Sequence, residues 1–257
     1  MNLSLAAVGS ARSAPPGAAP AAHAGFEAVV FDLDGVLIDS FEVMRQAFAR
    51  AYAEFVGPGR PPFEEYRTHQ GRYFPDIMRL MNLPLEMEEP FVRASAELIG
   101  EITVYPGVRE LLERLRDAGV ATAVATGKSA ARARAALAAH GLLPLLDTVV
   151  GSDEVPRPKP HPDIVIEALR RLRIDAPSRA LMVGDAAIDI RSGRSAGTVT
   201  AGASWGSEDV ERLRDAGADH VLSEPAGIGV LALAETETET ETETETAVAS
   251  APANGGN

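Results

Sequence analysis

Two aspartates one residue apart, Asp32 and Asp34, close the run Val29-Val30-Phe31-Asp32-Leu33-Asp34-Gly35. Burying one carboxylate without a partner is costly and two within a turn repel, so the pair implies a cation between them. Asp185 and Asp189 form a second acidic pair, and their spacing of four puts both carboxylates on one side of a helical turn. In Arg157-Pro158-Lys159-Pro160-His161-Pro162 the lysine is fixed between prolines, a poor setting for a merely solvated charge. Thr126 precedes an Ala-rich helical stretch, which it would cap, and a helix N-terminus is itself an anion site. Gly127-Lys128-Ser129 looks like the end of a nucleotide-binding P-loop, but that motif needs glycine where Thr122 stands.

Each of these residues follows a stretch that reads as a strand. Val29 to Phe31 is apolar, β-branched and aromatic, and Gly35 supplies the backbone freedom for a sharp exit after the carboxylates. Val120 to Ala125 ends at Thr126, a strand near Thr148 to Val150 leads into the proline-rich loop 151–162, and Leu181 to Val183 ends at Gly184-Asp185. Val108, Leu111, Leu112 and Leu115 mark one face of an intervening helix stopped by Gly119, and a helix over 129–140 is closed by Gly141. Strands alternating with helices, with chemistry at the strands' carboxyl ends, imply a doubly wound, mostly parallel α/β sheet with its site at the topological switch point. Phe41, Met44, Phe48, Tyr52 and Phe55 predict an amphipathic helix ended by Gly57-Pro58-Gly59. Further helices are expected over Phe74 to Met81 and from about Glu89 to Ile102, the latter with Phe91, Ala94, Leu98 and Ile102 in register. The expected organisation is a disordered extension 1–25, an α/β core of 26–40 and 103–234, an inserted α-helical lobe 41–102, and a disordered acidic tail 235–257.

In their order along the chain these strings resemble the four motifs of the haloacid dehalogenase (HAD) superfamily. Asp32-Leu33-Asp34-Gly35-Val36 is similar to the first and Thr126 to the second. The stretch 157–162 is similar to the third, and Gly184-Asp185, Asp189, Gly193 and Ala196-Gly197 to the fourth, so the resemblance covers roughly residues 28–200. It implies a HAD-like, Rossmann-like core with a small helical cap, as in the subgroup of phosphoglycolate phosphatases and β-phosphoglucomutases. It implies a phosphatase in which Asp32 forms an aspartyl-phosphate while Asp34 protonates the leaving alcohol and then activates water. Thr126, Gly127 and Lys159 would bind the phosphoryl oxygens. The implied cofactor is Mg²⁺, which favours oxygen ligands and keeps waters. Asp32, Asp185 and the Asp34 carbonyl suit it, with Asp189 orienting ligands or water. The four carboxylates would otherwise repel a phosphate ester; Mg²⁺, Lys159 and a protonated Asp34 bring the site near neutrality.

By the same resemblance the cap carries substrate choice. His69-Gln70-Gly71-Arg72-Tyr73 joins two cap helices and is expected over the site, with Arg72 for a second anionic group or sugar hydroxyls, Gln70 for polar contacts and Tyr73 for stacking. The competing reading is that Arg72 is a surface charge and Tyr73 packs within the cap. Residues 71–78 and 83–90 look like the cap of phosphatase-like proteins associated with 3-amino-5-hydroxybenzoic acid (AHBA) synthesis in ansamycin-type antibiotic pathways. That likeness implies a phosphorylated aminosugar or related substrate, with phosphoglycolate as the alternative.

Composition bounds the remaining possibilities. At 257 residues, 46% hydrophobic and 24% charged, the chain suffices for one large domain or a core plus a lobe. No run of apolar residues is long enough to span a membrane. The absence of cysteine excludes disulfides, thiolate nucleophiles and cysteine-bound zinc. The net charge of -13 argues against nucleic-acid binding, although Glu-Thr repeats from Glu235 to Thr246 contribute much of it. A small-molecule phosphate ester is the expected partner, no secretory signal is expected in residues 1–25, and the cytoplasm is the favoured location. Three rivals stay open: a phosphomutase using the same aspartates, a metal-independent dehalogenase, and a non-catalytic regulatory module. The sequence assigns no oligomeric state.

Overall fold

Strand β1, Ala28–Phe31, is buried on both faces. Val29 and Phe31 join one apolar cluster, and Ala28 and Val30 the other, as the period of two along a strand requires. A strand without a polar face needs helices above and below it, and the remaining elements supply them. The computed structural model describes residues 25–206 and 209–233, so the proposed terminal extension, but for Gly25, and the acidic tail lie outside the described residues.

After β1 come a short strand β2 (Ile38–Asp39) and helices α1 (Phe41–Phe55), α2 (Phe63–Thr68), α3 (Phe74–Leu80) and α4 (Glu88–Glu97). The chain returns through β3 (Thr103–Val104), which pairs antiparallel with β2, so both passages between lobe and sheet run side by side. Then follow α5 (Val108–Asp117), β4 (Ala121–Thr126), α6 (Ala130–Ala139), β5 (Thr148–Gly151), α7 (Asp163–Leu172), β6 (Ala180–Gly184) and α8 (Ala187–Ala196). The series ends with β7 (Val199–Ala203), α9 (Val210–Asp215), β8 (His220–Leu222) and α10 (Ala226–Leu233). The main sheet has the order β5-β4-β1-β6-β7-β8, and every pairing in it is parallel. Leucines of α5, with α6 and α10, cover one face; Ile164, Val165, Ala168 and Leu169 of α7 cover the other. The chain runs outward from β1 to β4 and β5, then crosses to β6 on the other side. Such a reversal opens a crevice at the carboxyl ends of the central strands.

Helices α1–α4 enclose a cluster of their own, built on Phe48, Phe63, Tyr66, Phe74, Phe91 and Met87. Phe74 and Phe91 stack with centroids 4.3 Å apart, and Phe48 lies 4.7 Å from Tyr66. Two expectations from periodicity need correction. The helix expected to reach Ile102 stops at Glu97 and passes into a 3₁₀ turn, Ile99–Glu101. Leu98 and Ile102 pack with the sheet's cluster instead, because the chain must turn from lobe to sheet at the poor helix former Gly100. Phe55, expected on the apolar face of α1, is 43% exposed where that helix ends. No described helix is long and apolar enough to cross a membrane.

Candidate active site

Asp32 directly follows β1, Thr126 ends β4, and Asp185 directly follows β6, so three adjacent parallel strands deliver their polar residues to one crevice. Lys159 arrives on the loop between β5 and α7, where the Lys159–Pro160 peptide bond is cis. Its ammonium lies 2.8 Å from Asp32 Oδ1 and 2.6 Å from Asp189 Oδ1, with all three side chains buried. Asp189, on the first turn of α8, also accepts the Ala186 N–H through Oδ2 at 3.1 Å. Both its oxygens are therefore engaged, and it fixes Lys159 beneath Asp32. Burial works to lower the Lys159 ammonium's pKa, but Asp189 and Asp32 outweigh it and raise the value, so this lysine stays charged.

Asp34 points elsewhere. Its carboxylate accepts hydrogen bonds from Ser40 and from the ammonium of Lys128. Burial alone would raise its pKa, but Lys128 and Ser40 overcome that and hold the carboxyl below its ordinary value. The resting site thus has Asp34 ionised rather than protonated, because the structure provides a second ammonium that the charge balance drawn from sequence left out. In the sequence Lys128 belongs to the P-loop-like string, and only its position two residues past the strand end hints at a role.

Thr126 is buried and lines the cavity, and its hydroxyl accepts the Lys128 N–H at 3.3 Å. It is not the cap of the following helix: α6 starts at Ala130, whose N–H goes to Asp153 Oδ1 at 2.8 Å. Gly127 faces the 69–73 loop so closely that a β-carbon there would collide with the Gly71 carbonyl. Gly71 has φ +83°, and a β-carbon on it would meet Ile188 Cδ1 at 2.9 Å. Two glycines without side chains are what let this loop lie directly on the site.

Of the loop's five residues, Gln70, Gly71 and Arg72 line the cavity. Gln70 Oε1 is buried with no hydrogen-bond partner among the described residues, and its Nε2 donates to Met44 Sδ at 3.9 Å. His69 and Tyr73 stand at turn positions outside the cavity lining, His69 closing α2 and Tyr73 preceding α3. Tyr73, expected to stack on the substrate, is not among the residues that line the cavity. The aromatic walls come instead from Phe41, Tyr66, Phe74 and Phe91 of the helical lobe.

Asp32, Asp185 and Asp189 each present a carboxylate oxygen within 4.8 Å of the others, a buried cluster able to hold a metal ion. Burial, with Asp189 and Asp34 nearby and only Lys159 opposing, pushes Asp32 up to about 7. Among these carboxylates Lys159 pairs with Asp32 and Asp189, and Lys128 with Asp34. The donor set is all oxygen, as Mg²⁺ requires.

A buried aspartate paired to a lysine at a strand end, with a hydroxyl and further carboxylates beside it, agrees with the comparisons to known proteins. Residues 26–197 match the family model described as haloacid dehalogenase-like hydrolase. The chain belongs to this family. As a HAD-type enzyme it is a phosphoric monoester hydrolase. It is 34% identical over 209 residues to "Probable phosphatase IndB" of Dickeya dadantii (strain 3937), covering 73% of this chain and 85% of that protein. It is also 34% identical over 186 residues to the phosphoglycolate phosphatase of Rhodobacter capsulatus, covering 66% of this chain and 80% of the relative. Among solved structures, CbbY from Rhodobacter sphaeroides in complex with xylulose-(1,5)bisphosphate aligns with a TM-score of 0.70 and 28% identity. That alignment covers 79% of this chain and 96% of CbbY. A HAD core explains why Asp32 and Asp185 are adjacent although 152 residues of numbering lie between strands β1 and β6 at their register partners Ala28 and Ala180.

Proposed function

We propose that this HAD hydrolase is a Mg²⁺-dependent phosphatase of a small-molecule phosphate monoester that works through an aspartyl-phosphate on Asp32. The observation that carries the reading is the convergence of Asp32, Thr126, Lys159 and Asp185 where β1, β4 and β6 end, with Lys159 2.8 Å from Asp32. Mg²⁺ would be held by Asp32, Asp185 and the Asp34 main-chain carbonyl, and when bound it supplies positive charge that keeps Asp32 ionised and neutralises the phosphoryl group. Asp189 steadies Lys159. An Asp32 oxygen attacks phosphorus, the bond to the leaving oxygen breaks, and that oxygen takes a proton from the hydrogen-bonded Lys128–Asp34 pair. Water then returns a proton to the pair as its oxygen attacks phosphorus, and the Asp32–phosphorus bond breaks to release phosphate. Thr126, the Gly127 N–H and Lys159 stabilise the phosphoryl oxygens throughout.

Residues 41–102 act in this reading as a cap, with Gln70, Gly71 and Arg72 over the leaving group. The cytoplasm is its place of action. A finer assignment to an aminosugar phosphate of AHBA synthesis rests on the likeness of residues 71–78 and 83–90 alone, and similarity to a phosphoglycolate phosphatase supports phosphoglycolate as its competitor. The test is phosphate release from a panel of esters in Mg²⁺ and in EDTA, with the Asp32→Asn variant alongside. Magnesium-dependent release lost in Asp32→Asn is expected. Turnover by that variant would remove Asp32 as nucleophile, and sugar-phosphate isomerisation without phosphate release would move the reading to a mutase.

A further inference from the structure

Arg132 is a partly buried cation that no carboxylate of the described residues contacts directly; Asp34 and Glu88 act on it only through space. It sits on the first turn of α6, and among the described residues it has no ion pair. Its guanidinium lies over the Phe91 ring at 5.0 Å and donates one long hydrogen bond, 3.4 Å, from Nη2 to Ser95 Oγ. A guanidinium has five N–H donors, and one long bond leaves most of them for a ligand. Its pKa lies below the ordinary value, chiefly because of burial.

The position of Arg132 says what would balance it. Arg132 lines the catalytic cavity together with Asp32, Asp34 and Thr126, and it also lines a second cavity between α1, α4 and α6. Ser40, Met44 and Lys128 are the other residues shared by both. Lys128 is occupied by Asp34, which leaves Arg132 as the cation available where the cavities meet. Phe74 and Phe91 on the catalytic side and Val43, Val92, Ile99 and Ile102 on the other give it apolar walls, with Gln70 and Arg72 among the polar residues of the catalytic cavity. Met44 at the divide has an adaptable side chain. Such walls suit an aromatic or alkyl body.

Resting on the phosphatase reading, we propose that the leaving group of the substrate is an apolar, aromatic-like body bearing an acidic substituent, and that Arg132 binds that acid. Carboxylate and phosphate substituents share this chemistry, and Arg132 binds either through paired N–H donors.

The test compares kcat/KM for phenyl phosphate, 3-carboxyphenyl phosphate, 3-phosphonophenyl phosphate, phosphoglycolate and glucose 6-phosphate in the full chain with Mg²⁺. The expected result is at least about a tenfold preference for one of the acid-bearing phenyl esters over phenyl phosphate, the size of a charge-assisted hydrogen bond. Which acid is preferred tells carboxylate from phosphate. Arg132→Met should lose at least about tenfold more on that ester than on phenyl phosphate, and Arg132→Lys should recover part of the difference. Equal losses on all esters would make Arg132 a clasp between α6 and α4, and absence of a preference in the wild type, or a preference for phosphoglycolate or glucose 6-phosphate, would equally overturn the proposal. If the wild type hydrolyses no ester, the phosphatase reading is what fails. Calorimetric binding of the phenyl esters to wild type and Arg132→Met then decides the Arg132 site by the same ratios.

Discussion

Lys159 sits between Asp32 and Asp189 with no exposure of its side chain, and the pair of carboxylates it separates is buried with it. Removing one member of a buried ionic group leaves the others uncompensated, at a cost of about 3–5 kcal/mol. Lys159→Met should therefore lose that much stability in urea unfolding at neutral pH with EDTA, as well as phosphatase activity. A loss below about 1 kcal/mol would mean that the two aspartates are not both ionised around it. Lys159 was readable as functional because two prolines hold it. Lys128 and Arg132 were not, since nothing in the Ala-rich stretch around them says that one meets Asp34, 94 positions away, and the other Phe91 on a helix of the lobe.

At the scale of elements, two strands of the sheet are tied to the next strand by the same device. The buried Thr200 of β7 donates its N–H and hydroxyl to Asp219 Oδ2 at 2.9 and 2.8 Å, and Thr122 of β4 donates its N–H to Asp147 Oδ2 at 2.8 Å. Asp219→Ala strands two buried donors of Thr200, so a loss of about 1–3 kcal/mol is expected in denaturant unfolding. A wild-type midpoint in that variant would show that water replaces the carboxylate. On α7, Glu167 binds Arg170 and Arg171 at 2.7 Å each, and these bonds depress its pKa from 4.5 to about 2. The folded value is the lower one, so the stabilisation is present above the unfolded value and is lost as pH falls toward about 2. The stability difference between wild type and Glu167→Gln should shrink steadily across that window, and a constant difference would put the effect in packing rather than charge. Strands β1, β4, β5 and β6 and helices α1, α3, α5 and α6 were legible from period and turn residues, whereas β7, β8 and α7 were not picked out. Helix α2, at six residues, and the two-residue ribbon β2–β3 were not, because they are too short to show a period.

Over the whole molecule, the proposed Mg²⁺ site at Asp32 and Asp185 would link stability to the cation. Magnesium that binds only the folded protein at a hundredfold over its Kd adds about 2.7 kcal/mol. For a domain of this size that is a rise in Tm of about 5–10 °C. The rise should be reversed by EDTA and absent in Asp185→Ala; an equal rise in that variant would place the metal elsewhere. By itself the sequence determined the doubly wound class and the strand-end residues Asp32, Thr126 and Asp185, because burial on both faces writes an apolar run and a polar residue must stand where the run stops. The resemblance to capped HAD proteins, rather than any local pattern, placed residues 69–73 over the site. Only the tertiary structure decided which charges meet: that Lys128 takes Asp34, that Asp189 serves Lys159, and that Arg132 faces two cavities with no ion pair among the described residues. Local periodicity reports which face of an element is buried, whereas a pairing between side chains depends on how elements far apart in the chain are placed.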